Sequence, residues 1–302
     1  MHKRVDSKSM DKKRKKTVEK SYPVALTIAG SDSGGGAGIQ ADLRTFNAFG
    51  VYGCSAVTGV TCQNPREISR IDLISAVGVS EQIRMVAGSF DLAFAKSGML
   101  GSVENVKAVA EAVEKYHLKL ICDPVMISTS DTKLFSGDVP EAMKRELFPR
   151  AAWLMPNVPE AEFILQRKIS SYQDMCHAAR ELADTYGCSI WLKGGHLVQT
   201  VEKGIGLRRV TDVICVKNEL WKVSSLMAEV PKYASHGTGC TLSAALTATL
   251  ALELPWQDAV CESRAFVLGS LVENVRVGNG IYAMYPSGND YTTSIQFEKV
   301  RI

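Results

Sequence analysis

The residues best suited to chemistry lie at 235–242, where a turn of small polar residues runs directly into a helix-forming segment. The sequence there is Ser-His-Gly-Thr-Gly-Cys-Thr-Leu, and we expect the helix to begin near Gly239 or Cys240. First-turn N–H groups have no intrahelical partners, and the helix dipole is positive at that end. Gly237 and Gly239 let a ligand approach the backbone closely. The segment therefore predicts an anion site, most naturally for a phosphoryl group.

Cys240 occupies the first turn of that helix. A thiol near a helix N-terminus has a lowered pKa, so we expect the pKa of Cys240 to lie below the ordinary value of about 8.5. The plainer interpretation is a Gly-capped turn that only starts a core helix, and the Gly-x-Gly spacing alone fits it equally well. The choice between them depends on the residues that the fold brings to this turn.

Polar or Gly-rich residues follow five apolar runs of the chain. These runs alternate with amphipathic segments, a rhythm that predicts a parallel sheet covered by helices on both faces. The carboxyl ends of parallel strands meet at one edge of such a sheet, where ligands bind. The residues expected at this edge, opposite the turn before Cys240, are 30–38, 63–64, 123, 157–160 and 193–196.

This edge would combine a cation with two acidic groups. Lys193 supplies the cation, and Asp123 and Glu160 supply carboxylates that can hold Mg²⁺, largely through its waters. Together with the anion site, this set suits phosphoryl transfer, which depends mainly on positioning and on neutralising phosphate charge. Taken singly, Glu160 fits a helix N-terminal carboxylate, Lys193 a surface lysine, and His196 a structural residue.

The Gly-rich segment at 30–38 matches neither of two common nucleotide-binding patterns. It is not a G-x-G-x-x-G followed by a distant ribose carboxylate, and it lacks the Gly-Lys-Ser/Thr of a P-loop. The segment therefore disfavours a dinucleotide enzyme and an ordinary P-loop ATPase. Asp42, in the helix that follows, fits either a dipole-complementing carboxylate or a group that points at a ligand.

Charge is unevenly placed along the 302 residues. Residues 1–20 hold nine Lys and Arg against three Asp and Glu, so the net +3 of the chain divides into +6 for the tail and −3 for the remainder. The sequence predicts a disordered basic tail at 1–22 and a single domain at 23–302. A solvated leader is favoured for the tail over nucleic-acid contact or nuclear targeting.

The apolar runs and the cysteines limit the cellular compartments in which this protein is expected. No run reaches the ~20 apolar residues that a membrane span needs, and the tail has no apolar segment of a secretory signal. The eight cysteines are scattered, with no C-x-x-C pair, and most stand among apolar residues. This pattern predicts reduced thiols in a cytoplasmic protein rather than a disulfide or zinc framework.

Five ordered motifs together resemble the hydroxymethylpyrimidine/phosphomethylpyrimidine kinase family of thiamine biosynthesis, over about residues 23–275. The motifs occupy 29–43, 123–126, 156–161, 192–197 and 236–245. The resemblance implies a ribokinase-like, three-layer α/β/α fold with a mostly parallel central sheet. It also implies phosphorylation of 4-amino-5-hydroxymethyl-2-methylpyrimidine, and then of its monophosphate, with ATP and Mg²⁺. A homo-oligomer, dimer or trimer, is implied as well.

The resemblance also assigns roles to residues. Cys240 would be the catalytic base, and the amides of Gly237, Thr238 and Gly239 would stabilise the transferring phosphoryl group. Thr238 and Gly239, with Lys193 and Asn157, would contact ATP, while Asp123 and Glu160 would hold the metal and its waters. Asp42 and Gln63 would pair with the amino group and ring nitrogens of the pyrimidine. The full set expected to hold the pyrimidine is Gly30, Ala37, Asp42, Gln63, Met99 and Val125.

The chain departs from the family pattern at three places. Residues 127–133 lack the glycine of the usual flap, 277–286 replace the usual C-terminal motif, and the segment after 63–64 is shorter. The missing flap glycine concerns closure of the flap over the site, and with it the second phosphorylation. The alternatives that stay open are a pyridoxal/pyridoxine kinase of the same superfamily and a non-catalytic relative that binds the pyrimidine, or nucleic acid through the tail.

Overall fold

Strands and helices alternate through most of the chain in a computed structural model that describes residues 21–126, 138–195, 199–201 and 208–301. Within these ranges the strands are β1 (Val24–Asp32), β2 (Tyr52–Gln63), β3 (Ile68–Leu73), β4 (Leu92–Ser97), β5 (Lys119–Cys122), β6 (Ala151–Leu154), β7 (Ser189–Leu192), β8 (Gln199–Val201), β9 (Arg208–Val216), β10 (Glu219–Leu226), β11 (Val275–Gly278), β12 (Ile281–Ala283) and β13 (Gln296–Lys299). The α-helices of the same ranges are α1 (Gly38–Ala48), α2 (Ala76–Ala87), α3 (Val103–Lys115), α4 (Val139–Ala142), α5 (Val158–Leu165), α6 (Tyr172–Tyr186), α7 (Thr238–Ala251) and α8 (Trp256–Val272).

One large sheet runs through the described part of the molecule in the order β13-β10-β9-β7-β6-β5-β4-β1-β2-β3, with β8 beside β9. The six strands from β7 to β2 are parallel. Antiparallel strands extend the sheet on both sides, β9, β10 and β13 on one and β3 on the other. The mostly parallel sheet predicted from the sequence is confirmed.

Both faces of the parallel strands are buried, which explains their nearly continuous apolar sequence. Successive residues alternate between two cores: Leu120 and Cys122 face one, with α2, α3, α5 and α6, while Ile121 faces the other, with α7 and α8. Trp153 and Trp191 also lie in the second core. Helices therefore cover the sheet on both faces, as the sequence predicted.

Element boundaries differ from the sequence predictions in a few places. Helix α7 begins at Thr238, one residue earlier than expected, and ends at Ala251. Strand β3 was not predicted, because it is an edge strand with four of its six residues exposed. The strands after residue 272 were not predicted either. Strand β13 pairs with β10 but has the mixed sequence Gln-Phe-Glu-Lys, which carries no apolar run.

Several predictions fall outside the described residues. They concern the tail at 1–20, the altered flap at 127–133 and His196. The division into a tail at 1–22 and one domain at 23–302 stays a prediction. Within the described ranges, none of the helices combines the length and the apolar character that a bilayer crossing requires.

Candidate active site

A cavity of about 310 Å³ lies where the carboxyl ends of the parallel strands meet the first turn of α7. All five polar segments that the sequence placed at this edge contribute residues to it. The predicted site residues that line it are Gly30, Ala37, Gln63, Met99, Asp123, Val125, Asn157, Glu160, Lys193, Gly237, Thr238, Gly239 and Cys240. Asp42 is the one predicted site residue that does not line the cavity.

The turn before α7 is shaped by a glycine that has no room for a side chain. Gly237 is the N-cap of α7 with φ 88°, a left-handed conformation. A Cβ atom at Gly237 would lie 1.9 Å from the carbonyl oxygen of Gly36, so the turn packs backbone to backbone against the 33–37 turn. Helix α7 lacks a side-chain cap, and Gly237, Thr238 and Gly239 line the cavity, where the Thr238 amide also donates to the Ser235 carbonyl oxygen at 3.3 Å. This arrangement suits an anionic group.

A charged pair stands next to the first turn of α7. Lys193 Nζ lies 2.8 Å from Asp123 Oδ1, and the Ser243 hydroxyl donates to Asp123 Oδ2 at 3.0 Å. A Cβ atom on Gly239 would lie 3.7 Å from Lys193 Nζ and 3.8 Å from Asp123 Oδ2. Burial raises the pKa of Asp123, but the nearby lysines outweigh it, so its pKa is lowered and the group is a carboxylate. A cation and an anion therefore face the anion site together.

Glu160 is held by a capping box at the start of α5. The Asn157 amide donates to Glu160 Oε2 at 2.8 Å, and the Glu160 amide donates to Asn157 Oδ1 at 2.8 Å. Burial raises the pKa of Glu160 to about 7, although the charge of Lys193 lowers it in part. The group therefore changes charge near neutral pH. Its helix N-terminal position was one of the two interpretations open from the sequence, and Glu160 also borders the cavity.

Asp42 does not line the cavity, although the resemblance implies that it pairs with the pyrimidine together with Gln63. Its side chain is fully buried, both carboxylate oxygens lie 2.9 Å from Lys96 Nζ, and the Thr27 hydroxyl donates to Oδ2 at 2.6 Å. Asp42 lies in the first turns of α1, and its carboxylate points toward β1 and β4. Lys96 borders the cavity instead. Direct pairing of Asp42 with a pyrimidine stays an untested prediction.

Lys96 was missed by the sequence analysis. It is the one charged residue of the apolar strand Leu-Ala-Phe-Ala-Lys-Ser, and a buried charge in such a run requires a partner. Burial lowers the pKa of Lys96, but Asp42 more than offsets it, so the pKa is raised and the group is an ammonium. A single lysine within an apolar strand was therefore a sequence signal that could have identified Lys96 as a buried, paired charge.

The expectation of a lowered pKa for Cys240 is wrong. Burial raises the pKa of the Cys240 thiol more than Lys96 lowers it, and Asp42 and Asp123 raise it further. Position near a helix N-terminus does not reveal the desolvation of the thiol or the two buried carboxylates beside it. Cys240 is partly buried at the floor of the cavity, so the structure makes it a protonated thiol that faces a lysine.

Gln63 marks one end of the cavity, with a polar cluster that the sequence analysis did not single out. The amide nitrogen of Gln63 lies 3.3 Å from His236 Nε2, which in turn lies 3.3 Å from Asp32 Oδ2. Gly30 and Met99 form the apolar wall beside them, so close that a Cβ atom on Gly30 would lie 2.6 Å from Met99 Cε. This end fits a flat ring with polar atoms on one edge.

The opposite end of the cavity contains a buried salt bridge that also went unpredicted. Arg264 lies 3.4 Å from Asp212 Oδ2 and donates to Ser225 Oγ at 3.1 Å. Asp212 also accepts from the Trp191 ring nitrogen at 3.0 Å and from the Gly194 amide at 2.8 Å. The cavity therefore has two ends, with the anion site and the Lys193 pair between them.

A parallel α/β sheet with a two-ended cavity, a helix N-terminus suited to an anion, a lysine and two acidic groups defines a small-molecule kinase of the ribokinase-like class. The family model described as Phosphomethylpyrimidine kinase matches residues 32–285. The chain belongs to this family, as the sequence motifs predicted.

Relatives agree with this assignment. A hydroxymethylpyrimidine/phosphomethylpyrimidine kinase from Rhizobium meliloti is 37% identical over 260 residues, which cover 85% of this chain and 94% of that protein. A solved phosphomethylpyrimidine kinase from Clostridium difficile is 35% identical, with a TM-score of 0.68, over 81% of this chain and 97% of that one.

A solved pyridoxal kinase is also similar in structure. The enzyme from Staphylococcus aureus, in complex with AMP-PCP and pyridoxal, is 26% identical with a TM-score of 0.78 over 93% of this chain and 100% of that one. The ribokinase-like fold and the kinase class predicted from the sequence are confirmed.

Proposed function

We propose that this protein transfers a phosphoryl group from ATP to 4-amino-5-hydroxymethyl-2-methylpyrimidine, and then to the resulting monophosphate, in thiamine biosynthesis. The observation that carries the proposal is the division of one cavity between a ring-sized polar end at Gln63 and a charged middle at Lys193 and α7. The family match and the names of the relatives support the choice of substrate.

The reaction needs a base for the substrate hydroxyl and a neutralised phosphate. The hydroxymethyl oxygen attacks the γ-phosphorus, the bond to the departing ADP oxygen breaks, and the hydroxyl proton passes to Cys240. Cys240 first releases its own proton to solvent, and the Lys96 ammonium favours that ionisation. The amides of Gly237, Thr238 and Gly239 and the Lys193 ammonium stabilise the charge on the transferring group.

Mg²⁺ fits the acidic residues that remain. The described residues contain no group of three or more His, Cys, Asp or Glu that could form a complete metal site. Mg²⁺ in kinases is commonly held by one or two carboxylates together with substrate phosphates and waters, and Asp123 and Glu160 supply two. When bound, it neutralises phosphate oxygens. Asn157 would contribute to ATP binding through atoms that its capping bonds leave available.

Pyridoxal phosphorylation is the second candidate function. It is favoured by the higher TM-score with the pyridoxal kinase, 0.78 against 0.68 for the phosphomethylpyrimidine kinase. The higher sequence identity, 35% against 26%, favours the pyrimidine. Cytoplasmic location and a homo-oligomeric state stay predictions from the sequence.

The experiment that tests the proposal measures ATP consumption with three acceptors in parallel: the hydroxymethylpyrimidine, its monophosphate and pyridoxal. We expect turnover of both pyrimidines. Turnover of the first alone would restrict the proposal to one step. A preference for pyridoxal of about ten-fold, equivalent to ~1.4 kcal/mol, would overturn the choice of substrate, and no turnover with any acceptor would favour a binding protein.

A further inference from the structure

Asp32 and His236 occupy the Gln63 end of the cavity without a role in the reaction above. Their side chains are 4% and 12% exposed. Asp32 ends β1 just before the 33–37 turn, whereas His236 lies in the turn that precedes α7. A Cβ atom on Gly36 would lie 2.5 Å from His236 Cδ2, so the imidazole is packed directly on the first turn. Both side chains are therefore held in place against Gln63.

The carboxylate of Asp32 is an acceptor only. Asp32 Oδ1 accepts from the Gly34 amide at 2.8 Å, and Oδ2 accepts from the Gly36 and Ala37 amides at 3.0 and 2.9 Å. Burial raises the pKa of Asp32, but the bonds from His236 and the backbone outweigh it, so the pKa is lowered. A contact between this carboxylate and His236 Nε2 therefore requires the proton on Nε2.

That proton decides which end of the Gln63 amide faces His236. With the amide nitrogen toward Nε2, at 3.3 Å, two donors would meet. With the amide oxygen toward Thr61 Oγ1, at 3.0 Å, a second conflict arises, because that hydroxyl has one proton and also lies 3.0 Å from the Ser31 carbonyl oxygen. The assignment of amide oxygen and nitrogen follows from the network. A half-turn of the Gln63 amide resolves both conflicts together.

The resolved network runs in one direction. The one His236 Nε2–H is shared, as a bifurcated bond, between Asp32 and the amide oxygen of Gln63. The amide nitrogen donates to Thr61, and the Thr61 hydroxyl donates to the Ser31 carbonyl oxygen. An amide has two N–H groups and two oxygen lone pairs. One N–H and one lone pair of Gln63 therefore stay available, in a fixed order, for a ligand in the cavity.

We infer that Asp32 and His236 are specificity-determining positioning residues, which fix the orientation of the Gln63 amide and so select the donor–acceptor order on the ring of the substrate. This inference rests on the proposed function. A 4-aminopyrimidine presents an amino donor beside a ring-nitrogen acceptor. A 4-oxopyrimidine presents the reverse, a carbonyl acceptor beside an N–H donor. With the 5-hydroxymethyl group directed toward Cys240, only one of the two rings pairs with a fixed amide.

The experiment compares 4-amino-5-hydroxymethyl-2-methylpyrimidine with its 4-oxo counterpart, by kcat/KM and by calorimetric binding. A bidentate pair discriminates between bases by about 5- to 160-fold, so we expect the wild-type protein to prefer the 4-amino ring by at least about 5-fold. His236→Phe keeps a ring against Gly36 but removes the donor, and Thr61→Val removes the opposite partner of the amide. His236→Phe should bring the preference down toward about 1, because the amide is then free to turn. Thr61→Val leaves the His236 donor in place and should keep most of the preference.

Ser33→Ala is the matched control. The Ser33 hydroxyl donates to the carbonyl oxygen of Gln63 at 2.8 Å and accepts from its amide N–H at 2.8 Å, so it holds the main chain of Gln63 and not its side-chain amide. This variant should change the binding of both rings by the same factor. Thermal melts of each variant confirm folding.

The outcomes separate the inference from the proposed function. A preference that stays at the wild-type value in His236→Phe, with equal losses for both rings, would overturn the inference and leave the function standing. Loss of the preference in Thr61→Val alone would overturn it as well. Binding of both rings to the wild-type protein without turnover would overturn the function, and the binding ratios of the variants would still decide the inference. Failure to bind either ring would overturn both.

Discussion

The buried pair of Lys96 and Asp42 controls the charge around Cys240. We expect Asp42→Asn to lower the pKa of the Cys240 thiol, because it removes an anion that disfavours the thiolate and leaves the Lys96 ammonium. Adding Lys96→Met to that variant should raise the pKa again. The pH dependence of iodoacetamide labelling at Cys240, read by mass spectrometry, measures both changes.

Cys261 provides the control for this measurement, because it is also partly buried and its pKa is raised by burial and by Asp258 and Glu262, none of which the substitutions touch. Its labelling profile should stay the same. The electrostatic explanation would be contradicted if the pKa of Cys240 fell in Asp42→Asn and fell again when Lys96→Met was added. General loosening of the structure would have this effect, because it would expose the thiol in both variants.

Removal of the thiol should slow the chemical step. We expect Cys240→Ala to lower kcat by about 10²–10⁴-fold, the usual effect of losing a positioned base, with a small change in KM. Steady-state kinetics with the hydroxymethylpyrimidine provide the measurement, and Cys261→Ala should behave as the wild type. An unchanged kcat in Cys240→Ala would exclude the base role.

Glu160 should make the free protein less stable as the pH rises. Its pKa is raised by burial to about 7, above the value of about 4.3 in an unfolded chain. The folded state therefore binds more protons between these values, and the stability that Glu160 contributes below about pH 4.3 is lost as the pH rises through about 7. Without nucleotide or metal, Glu160→Gln should gain in Tm relative to the wild type from about pH 5 to 8. A constant difference in Tm over this range would contradict the shift.

At the scale of elements, the capping box joins α5 to the cavity. Asn157→Ala removes the side-chain oxygen that accepts from the Glu160 amide, so we expect a loss of about 1 kcal/mol in the free energy of unfolding. Asn157→Asp keeps an acceptor there and should recover most of that loss. Urea unfolding measures both, and equal stability of the alanine and aspartate variants would show that the cap contributes nothing.

Elements whose signal is local could be predicted from the sequence. The apolar run of β1, the glycines after it and the helix formers of α7 each identify one element without reference to the rest of the chain. The edge strands β3 and β13 could not be predicted in this way, because each is defined by a neighbour, β2 or β10, rather than by its own pattern.

The same limit applies within the site. The parallel topology predicted that the polar strand ends would meet at one cavity, and the structure brings them together there. The pairing of Asp42 with Lys96, 54 residues apart, depends on which face of α1 the carboxylate occupies. Asp32 and Asp42 stand in the same motif, yet one lines the cavity and the other lies beneath it. Desolvation of Cys240 likewise requires the packed structure.

At the scale of the whole molecule, the two ends of the cavity should bind their ligands separately. A ligand at about 100 times its Kd stabilises the folded state by about 2.7 kcal/mol. We expect Lys193→Met to reduce the Tm increase caused by AMP-PCP and to keep the increase caused by the pyrimidine, because Lys193 borders the phosphate region. Gln63→Ala should do the reverse. Loss of both increases in either variant would contradict a divided cavity.

The contact between Gly36 and Gly237 has a consequence for how the protein can change over time. A Cβ atom on Gly237 would lie 1.9 Å from the carbonyl oxygen of Gly36, and a Cβ atom on Gly36 would lie 2.5 Å from His236 Cδ2, so at these positions neither turn accepts a side chain unless the other moves. The effect of a substitution in 33–37, the turn beside the acceptor, should therefore depend on the residues present in 235–238, the turn beside the transferred phosphate. A library that randomises 33–37 and 235–238 together should yield functional combinations that neither single-turn library contains.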